Sequence, residues 1–205
     1  MDMDGTLLDS ETLSREATNR GFYEIFGRDL TDREHSEMIG RPVQLIMKKN
    51  YGKKGEEAYQ LGREYFSQDM DKIGLFPGIR SLLSAIRDEK LKLGLVTSSH
   101  REDANFFLER TGISEYFEVK IAQEDTERHK PHPEPLLKCM DLLSARSDET
   151  VYIGDQPYDI RAAISAGIKS IGATWGPGDT DLLKAEHANA VCNVPSEVFN
   201  LIRHL

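Results

Sequence analysis

No apolar run in this chain approaches the ~20 residues that a membrane-spanning helix needs, and nothing at its start has the charged-then-apolar layout of a secretory leader. Cysteine is nearly absent. The two that occur, Cys139 and Cys192, form no metal-binding or redox spacing. Cys139 lies in Leu136-Leu137-Lys138-Cys139-Met140, on the apolar side of an expected helix, and reads as a buried free thiol. These features suit a reducing cytoplasm, the expected location. An excess of positive charge is also missing: the formal net charge is −9, which argues against nucleic acid or an anionic membrane as a partner. Internal repeats and low-complexity tracts are absent, which excludes solenoids and disordered linkers. What remains is a soluble chain of 205 residues, a length that fits one compact domain or one domain with an insertion.

From about residue 79 onward, helix and strand patterns alternate. Ile79–Lys90 reads as a helix, with Ile79, Leu82, Leu83 and Ile86 at helical spacing. Leu91–Val96 reads as an apolar strand, Arg101–Thr111 as a helix stopped by Gly112, and Val119–Ala122 as a short strand. Pro133–Leu143 is an expected helix, Val151–Ile153 a strand, Asp159–Ala166 a helix closed by Gly167, and Ser170–Ala173 a strand. Strands that are apolar on both faces, separated by amphipathic helices, indicate a doubly wound parallel sheet with a Rossmann-like core. Such sheets bind ligands at the carboxyl ends of their strands.

Residues 12–76 follow another pattern. Leu13, Ala17, Phe22, Ile25 and Phe26 line one helical face. Thr31-Asp32-Arg33-Glu34 has the form of a capping box, Val43–Lys49 and Glu56–Met70 supply further helices, and no strand pattern occurs. The expected organisation is therefore an α/β core from residues 1–11 and 77–205, with an all-helical cap domain, residues 12–76, inserted between. Phe76-Pro77-Gly78 and Leu8–Glu11 are the expected hinge segments.

Four short clusters fall at strand ends or helix starts: Asp2-Met3-Asp4-Gly5-Thr6-Leu7-Leu8-Asp9, Leu93-Gly94-Leu95-Val96-Thr97-Ser98-Ser99, Lys130-Pro131, and Gly154-Asp155-Gln156-Pro157-Tyr158-Asp159. In this order they resemble the haloacid dehalogenase superfamily, in its phosphatase-like branch that includes phosphoglycolate phosphatases. The resemblance covers nearly the whole chain, and the Asp-x-Asp-Gly-Thr element is its most specific part. It implies a hydrolase that acts on a small phosphate ester through an aspartyl-phosphate, with Mg²⁺ as cofactor.

On that resemblance Asp2 is the nucleophile, and covalent catalysis splits one difficult displacement into two easier ones. Asp4 is the general acid that protonates the leaving alkoxide and then the base that activates water. Dehalogenases of the superfamily lack this second aspartate because halide needs no proton. The implied Mg²⁺ ligands are the side chains of Asp2 and Asp155 and the backbone carbonyl of Asp4, with Asp159 holding a metal-bound water. Asp159 is also a natural N-cap, as are Asp9 and Ser10 for the helix after the first cluster.

Thr97, with its hydroxyl, and Ser98, with its backbone N–H, are expected to bind phosphate, and Lys130 to neutralise the phosphorylated aspartate. His129 and His132, on either side, are taken as surface residues. Arg41, in Gly40-Arg41-Pro42, is a candidate for a second anionic group of the substrate, and a plain surface arginine is an equal reading. Trp175-Gly176 resembles a stretch of the phosphoglycolate phosphatase and pyrophosphatase branch, and a packing role fits it as well. The alternatives to a phosphatase are a phosphosugar mutase, which shares all four clusters, and a weakly active or inactive member. Family mutases carry a histidine where this chain has Ser14. Phosphoglycolate, pyrophosphate, a sugar phosphate and a nucleotide all fit as substrates.

The family places an apolar strand of about five residues directly before the first aspartate, where this chain has only Met1. A central strand has partners on both sides, and each large apolar side chain it buries contributes roughly 1.5–3 kcal/mol. The natural protein is therefore expected to carry several apolar residues before Met1.

Overall fold

The computed structural model describes residues 1–204; the last residue of the expected core range, Leu205, lies outside them. The chain divides into two compact units, Met1–Asp9 with Leu75–Leu205, and Ser10–Gly74.

The larger unit is an α/β layer structure with parallel strands β1 (Gly94–Val96), β2 (Val119–Ile121), β3 (Val151–Gly154), β4 (Lys169–Ala173) and β5 (Ala190–Cys192). β1 pairs with β2 in parallel, and β3, β4 and β5 pair in that order, also in parallel. Residues 1–3 fill the space between β1 and β3. The Val96 N–H donates to the Met1 carbonyl at 2.9 Å, and the Asp2 N–H donates to the Ile153 carbonyl at 2.8 Å. The backbone groups at the carboxyl ends of β1 and β3 are thus paired across this segment, which puts Asp2 between the two strand ends.

Helices of this unit are α4 (Ile79–Asp88), α5 (Arg101–Arg110), α6 (Glu134–Leu143), α7 (Pro157–Ser165), α8 (Thr180–Ala185) and α9 (Pro195–His204). Val96, Ile121, Leu136, Cys139, Tyr152, Ala162, Ala163 and Ile168 form one buried cluster between strands and helices. Both cysteines are buried free thiols. The first strand is shorter than the periodicity suggests: Leu91 stays 43% exposed, and the ladder begins only at Gly94. The elements after Ala173 have no counterpart in the sequence reading.

The smaller unit consists of α1 (Glu11–Phe26), α2 (Asp32–Ser36) and α3 (Val43–Asp69), followed by a short 3₁₀ turn. Phe22, Leu30, Met38, Ile46, Met47 and Ala58 form its core. The capping box at α2 is complete: Glu34 N–H donates to Thr31 Oγ1 at 3.2 Å, and Thr31 N–H donates to Glu34 Oε2 at 2.8 Å. Glu34 also takes a bidentate pair from Arg28 and the hydroxyl of Tyr51 at 2.6 Å. The helices expected at residues 43–49 and 56–70 are one run broken by a non-helical residue, Gly52 (φ 60°, ψ −140°). Within the larger unit, Leu8 bridges Leu75 and the Phe76 N–H donates to the Leu7 carbonyl at 3.0 Å, so the chain leaves and re-enters the α/β layer at adjacent points.

Candidate active site

The second and fourth clusters end β1 and β3, whereas the first forms a turn and Lys130-Pro131 lies in the turn before α6; the first, third and fourth meet around one lysine. Lys130 is 3% exposed, with its Nζ 2.8 Å from Asp2 Oδ1 and 2.7 Å from Asp159 Oδ1. It also donates to the Tyr152 hydroxyl at 3.2 Å, which in turn donates to the Val96 carbonyl at 2.9 Å. The peptide bond between Lys130 and Pro131 is cis. The lysine read from sequence as the neutralising cation is therefore a fully enclosed one, held by Asp2, by Tyr152 of β3 and by Asp159 of α7.

One oxygen from each of Asp2, Asp155 and Asp159 lies within 4.8 Å of the others, and all three residues are buried. Asp155 Oδ1 accepts from the Thr6 hydroxyl at 2.8 Å, and its Oδ2 accepts from the Gln156 side-chain amide at 2.6 Å. Asp159 Oδ2 accepts from the Gln156 backbone N–H at 3.0 Å. This corrects the capping expectation: the helix α7 starts at Pro157, so Asp159 sits inside its first turn and reaches back to the residue before it. Ser10 precedes α1 but makes no side-chain cap, and Asp9 is exposed.

Two glycines make the convergence possible. Gly5 has φ +75°, and a Cβ there would lie 2.4 Å from Asp155 Oδ2. A Cβ at Gly154 would lie 2.4 Å from the Asp159 carboxyl carbon. The indole N–H of Trp175 donates to the Thr6 carbonyl at 2.8 Å, so this residue braces the turn that carries Asp4 and Thr6. That is the packing role among its two readings.

Electrostatics follow from burial and crowding. Burial first, then the Asp159 carboxylate, push the Asp2 carboxyl up to about 7 against the pull of Lys130. Burial, followed by Asp159 and Asp2, holds Asp155 well above the ordinary carboxylate range. Burial by itself would lower the Lys130 pKa, but Asp159 and Asp2 reverse this and keep it well above the usual value. Three buried carboxylates facing one ammonium leave two uncompensated negative charges if all ionise. Hard oxygen donors with excess negative charge are what a small divalent cation requires, so the residues present fit Mg²⁺.

Asp4 is half-buried beside the loop after β1. Its Oδ2 accepts from the Ser99 hydroxyl at 2.6 Å, and the Thr97 hydroxyl stands 3.5 Å away, at the edge of hydrogen bonding. Thr97 Oγ1 accepts from the Ser99 N–H at 3.0 Å, a local turn and not a helix cap, since α5 starts at Arg101. Ser98 is half-buried between them. His129 and His132, expected on the surface, are both half-buried; burial lowers the His129 pKa, and His132 Nδ1 accepts from the Glu134 N–H. Arg41 belongs to the smaller unit, where its guanidinium donates to the Glu37 carbonyl at 3.2 Å. Sequence reading missed Thr6, Ser99, Tyr152 and Gln156. A run of three hydroxyl residues at a strand end was the available signal for Ser99, whereas Tyr152 is indistinguishable from core within its apolar strand.

Comparison with known proteins shows the family. The family profile of haloacid dehalogenase-like hydrolases matches residues 1–173. A protein named pyrophosphatase PpaX from Halalkalibacterium halodurans is 31% identical over 170 residues, 82% of this chain and 79% of that protein. A phosphoglycolate phosphatase from Salmonella choleraesuis is 29% identical over 201 residues, 85% of this chain and 80% of that one. Among solved structures, one described as a candidate beta-phosphoglucomutase from Thermotoga maritima aligns with a TM-score of 0.76 at 27% identity, covering 100% of this chain and 97% of that one. The chain belongs to the haloacid dehalogenase-like hydrolases, in their phosphatase-like branch. Among the described residues no helix is long and apolar enough to cross a membrane.

Proposed function

We propose that this hydrolase is a Mg²⁺-dependent phosphatase that acts on a small soluble phosphate ester through a phosphorylated Asp2. The observation that carries the reading is the buried group of Asp2, Asp155 and Asp159 around Lys130, with Asp4 close by on the same turn. An inactive binding protein has no need of three carboxylates crowded around one buried lysine, because unpaired buried charge destabilises a fold by several kcal/mol.

Asp2, the Asp4 carbonyl and Asp155 would hold the metal, and Asp159 would orient its water. When bound, the cation supplies the positive charge that lets a dianionic ester approach a carboxylate. Thr97 Oγ1 and the Ser98 N–H bind the transferring phosphoryl group. An Asp2 oxygen attacks phosphorus, the phosphorus–ester oxygen bond breaks, and Asp4 gives its proton to the leaving oxygen. Asp4, now ionised, takes a proton from water as that water attacks phosphorus. The bond to Asp2 breaks, inorganic phosphate leaves, and Asp2 and Asp4 return to their starting states. Lys130 offsets the charge on Asp2 throughout, and its two short carboxylate contacts keep it from swinging away.

The helical unit, residues 10–74, serves as a cap that excludes water and selects the substrate. Arg41 is its candidate contact for an anionic tail. A mutase reading is disfavoured by Ser14, which occupies the place of the mutases' histidine. The buried free thiols suit a reducing compartment, the cytoplasm.

A panel of phosphate esters, including phosphoglycolate, pyrophosphate and a sugar phosphate, assayed with Mg²⁺ tests the reading. One or more should be hydrolysed, and Asp2→Asn should abolish that activity. Near-normal turnover by Asp2→Asn would show that phosphoryl transfer does not pass through Asp2.

A further inference from the structure

Ser99, in the loop after β1, has no part in the mechanism above. Ser99 Oγ lies 2.6 Å from Asp4 Oδ2, closer than the Thr97 hydroxyl at 3.5 Å. Its backbone is fixed at both ends: the N–H donates to Thr97 Oγ1 at 3.0 Å, and the carbonyl accepts from the Gln123 N–H, also at 3.0 Å. The loop that carries Ser99 is thus tied to β1 on one side and to the turn after β2 on the other.

We propose that Ser99 is a positioning residue for Asp4, holding its carboxyl group aimed at the oxygen that receives or gives up a proton. The inference rests on the function proposed above for Asp4. A hydroxyl carries one proton to donate and lone pairs to accept, so it can donate to Asp4 when ionised and accept from Asp4 when protonated. Asp4 must exist in both forms within one turnover, and Ser99 can keep hold of it in each. An amide N–H could donate only, and would lose its partner when that oxygen is protonated. Thr97, at 3.5 Å and already accepting from the Ser99 N–H, is less well placed for this task. Aim matters because proton transfer falls steeply with misplacement: a displacement of about 1 Å costs on the order of a hundredfold.

The competing role for Ser99 is direct contact with the bound phosphate, and leaving-group dependence separates the two. An alkyl phosphate needs a proton on its departing oxygen, whereas p-nitrophenyl phosphate releases a stable anion that needs none. In the full chain with Mg²⁺, S99A should lower kcat/KM for an alkyl phosphate about tenfold, a part of the roughly 10²–10⁴-fold that general acid catalysis contributes, and for p-nitrophenyl phosphate by less than about twofold. The inhibition constant of inorganic phosphate should not change. In a D4N background, S99A should have no further effect on p-nitrophenyl phosphate hydrolysis. Equal losses on both esters, a raised inhibition constant for phosphate, or a further loss in D4N would overturn the proposal. If D4N is as active as the unmodified enzyme on the alkyl ester, the proposed function of Asp4 itself fails. If D4N is impaired and S99A is not, only the role of Ser99 fails.

Discussion

Replacing Lys130 with methionine should destabilise the metal-free protein by about 3–5 kcal/mol at pH 7.5, the usual cost of removing one partner from a buried ion pair. The ammonium stands 2.8 Å from Asp2 and 2.7 Å from Asp159, with almost no solvent access. At an effective dielectric constant of ~20, one such contact is worth about 6 kcal/mol of attraction, and the desolvation of the lysine, several kcal/mol, offsets part of it. Methionine keeps the length of the stem, so the loss comes from charge rather than from a cavity. The cost should depend on pH. The Asp2 carboxyl is pushed up to about 7, so at pH 5.5 it is mostly protonated, and one fewer negative charge is stranded. The penalty should then fall to about 2 kcal/mol. Urea unfolding of both proteins in excess chelator, at the two pH values, measures this directly. A loss below ~1 kcal/mol at pH 7.5, or one that is the same at pH 5.5, would refute the charge-balance argument.

Further outcomes follow from the same geometry. A carboxyl whose folded pKa is raised contributes stability that is complete below its ordinary value and is lost as pH rises through the raised one. For Asp2 that window runs from about 4 to about 7, and Asp155 shifts in the same direction. Mg²⁺ relieves this repulsion, so the rise in melting temperature on its addition should be larger at pH 8 than at pH 5.5; an equal rise at both would contradict the carboxylate site. Ca²⁺ should inhibit, since it takes more ligands at longer distances; full activity with Ca²⁺ alone would show that octahedral geometry is not needed. Arg41→Ala should raise KM for a substrate with an anionic tail more than for a small generic ester, and equal changes would leave Arg41 as an ordinary surface residue. In the helical unit, Glu34→Ala should cost stability above about pH 4.5, because Arg28 holds the Glu34 carboxyl far below its usual range; circular dichroism of the variant should show a smaller loss as pH falls toward 2.

The parts of the site that were legible in the sequence share one property: their chemistry needs a particular side chain next to a turn. Asp155 follows Gly154 at the end of β3, Lys130 precedes Pro131 in the turn before α6, and Asp2 opens the Asp-x-Asp-Gly-Thr element, and that punctuation survives without any knowledge of neighbours. The capping box at Thr31 was legible for the same reason, because both of its hydrogen bonds lie within four residues. Tyr152 was not, since its role exists only through Lys130 and the Val96 carbonyl on another strand, and Gln156, which bonds the adjacent Asp155, carries no pattern that marks it. Asp159 was given a cap position because aspartate near a helix start usually takes it; here Lys130, 29 residues away, and the Gln156 N–H claim its two oxygens. The strand β5 escaped notice because three residues, two of them only half-buried, carry no alternation to read. Helix α9 does have an apolar stripe, with Val198 fully buried, and its pattern was available in the sequence.

The central claim is that the phosphoryl group passes through Asp2, and a trapping experiment tests it most directly. Asp4→Asn removes the base for the second step, so the intermediate should accumulate when the variant meets a phosphate-labelled activated ester with Mg²⁺. After acid quench and digestion, the label should sit on the peptide that contains Asp2 and should be released by hydroxylamine, as expected of an acyl phosphate. A variant that releases a first equivalent of alcohol while every peptide stays unlabelled, or a label on any other residue, would contradict the account.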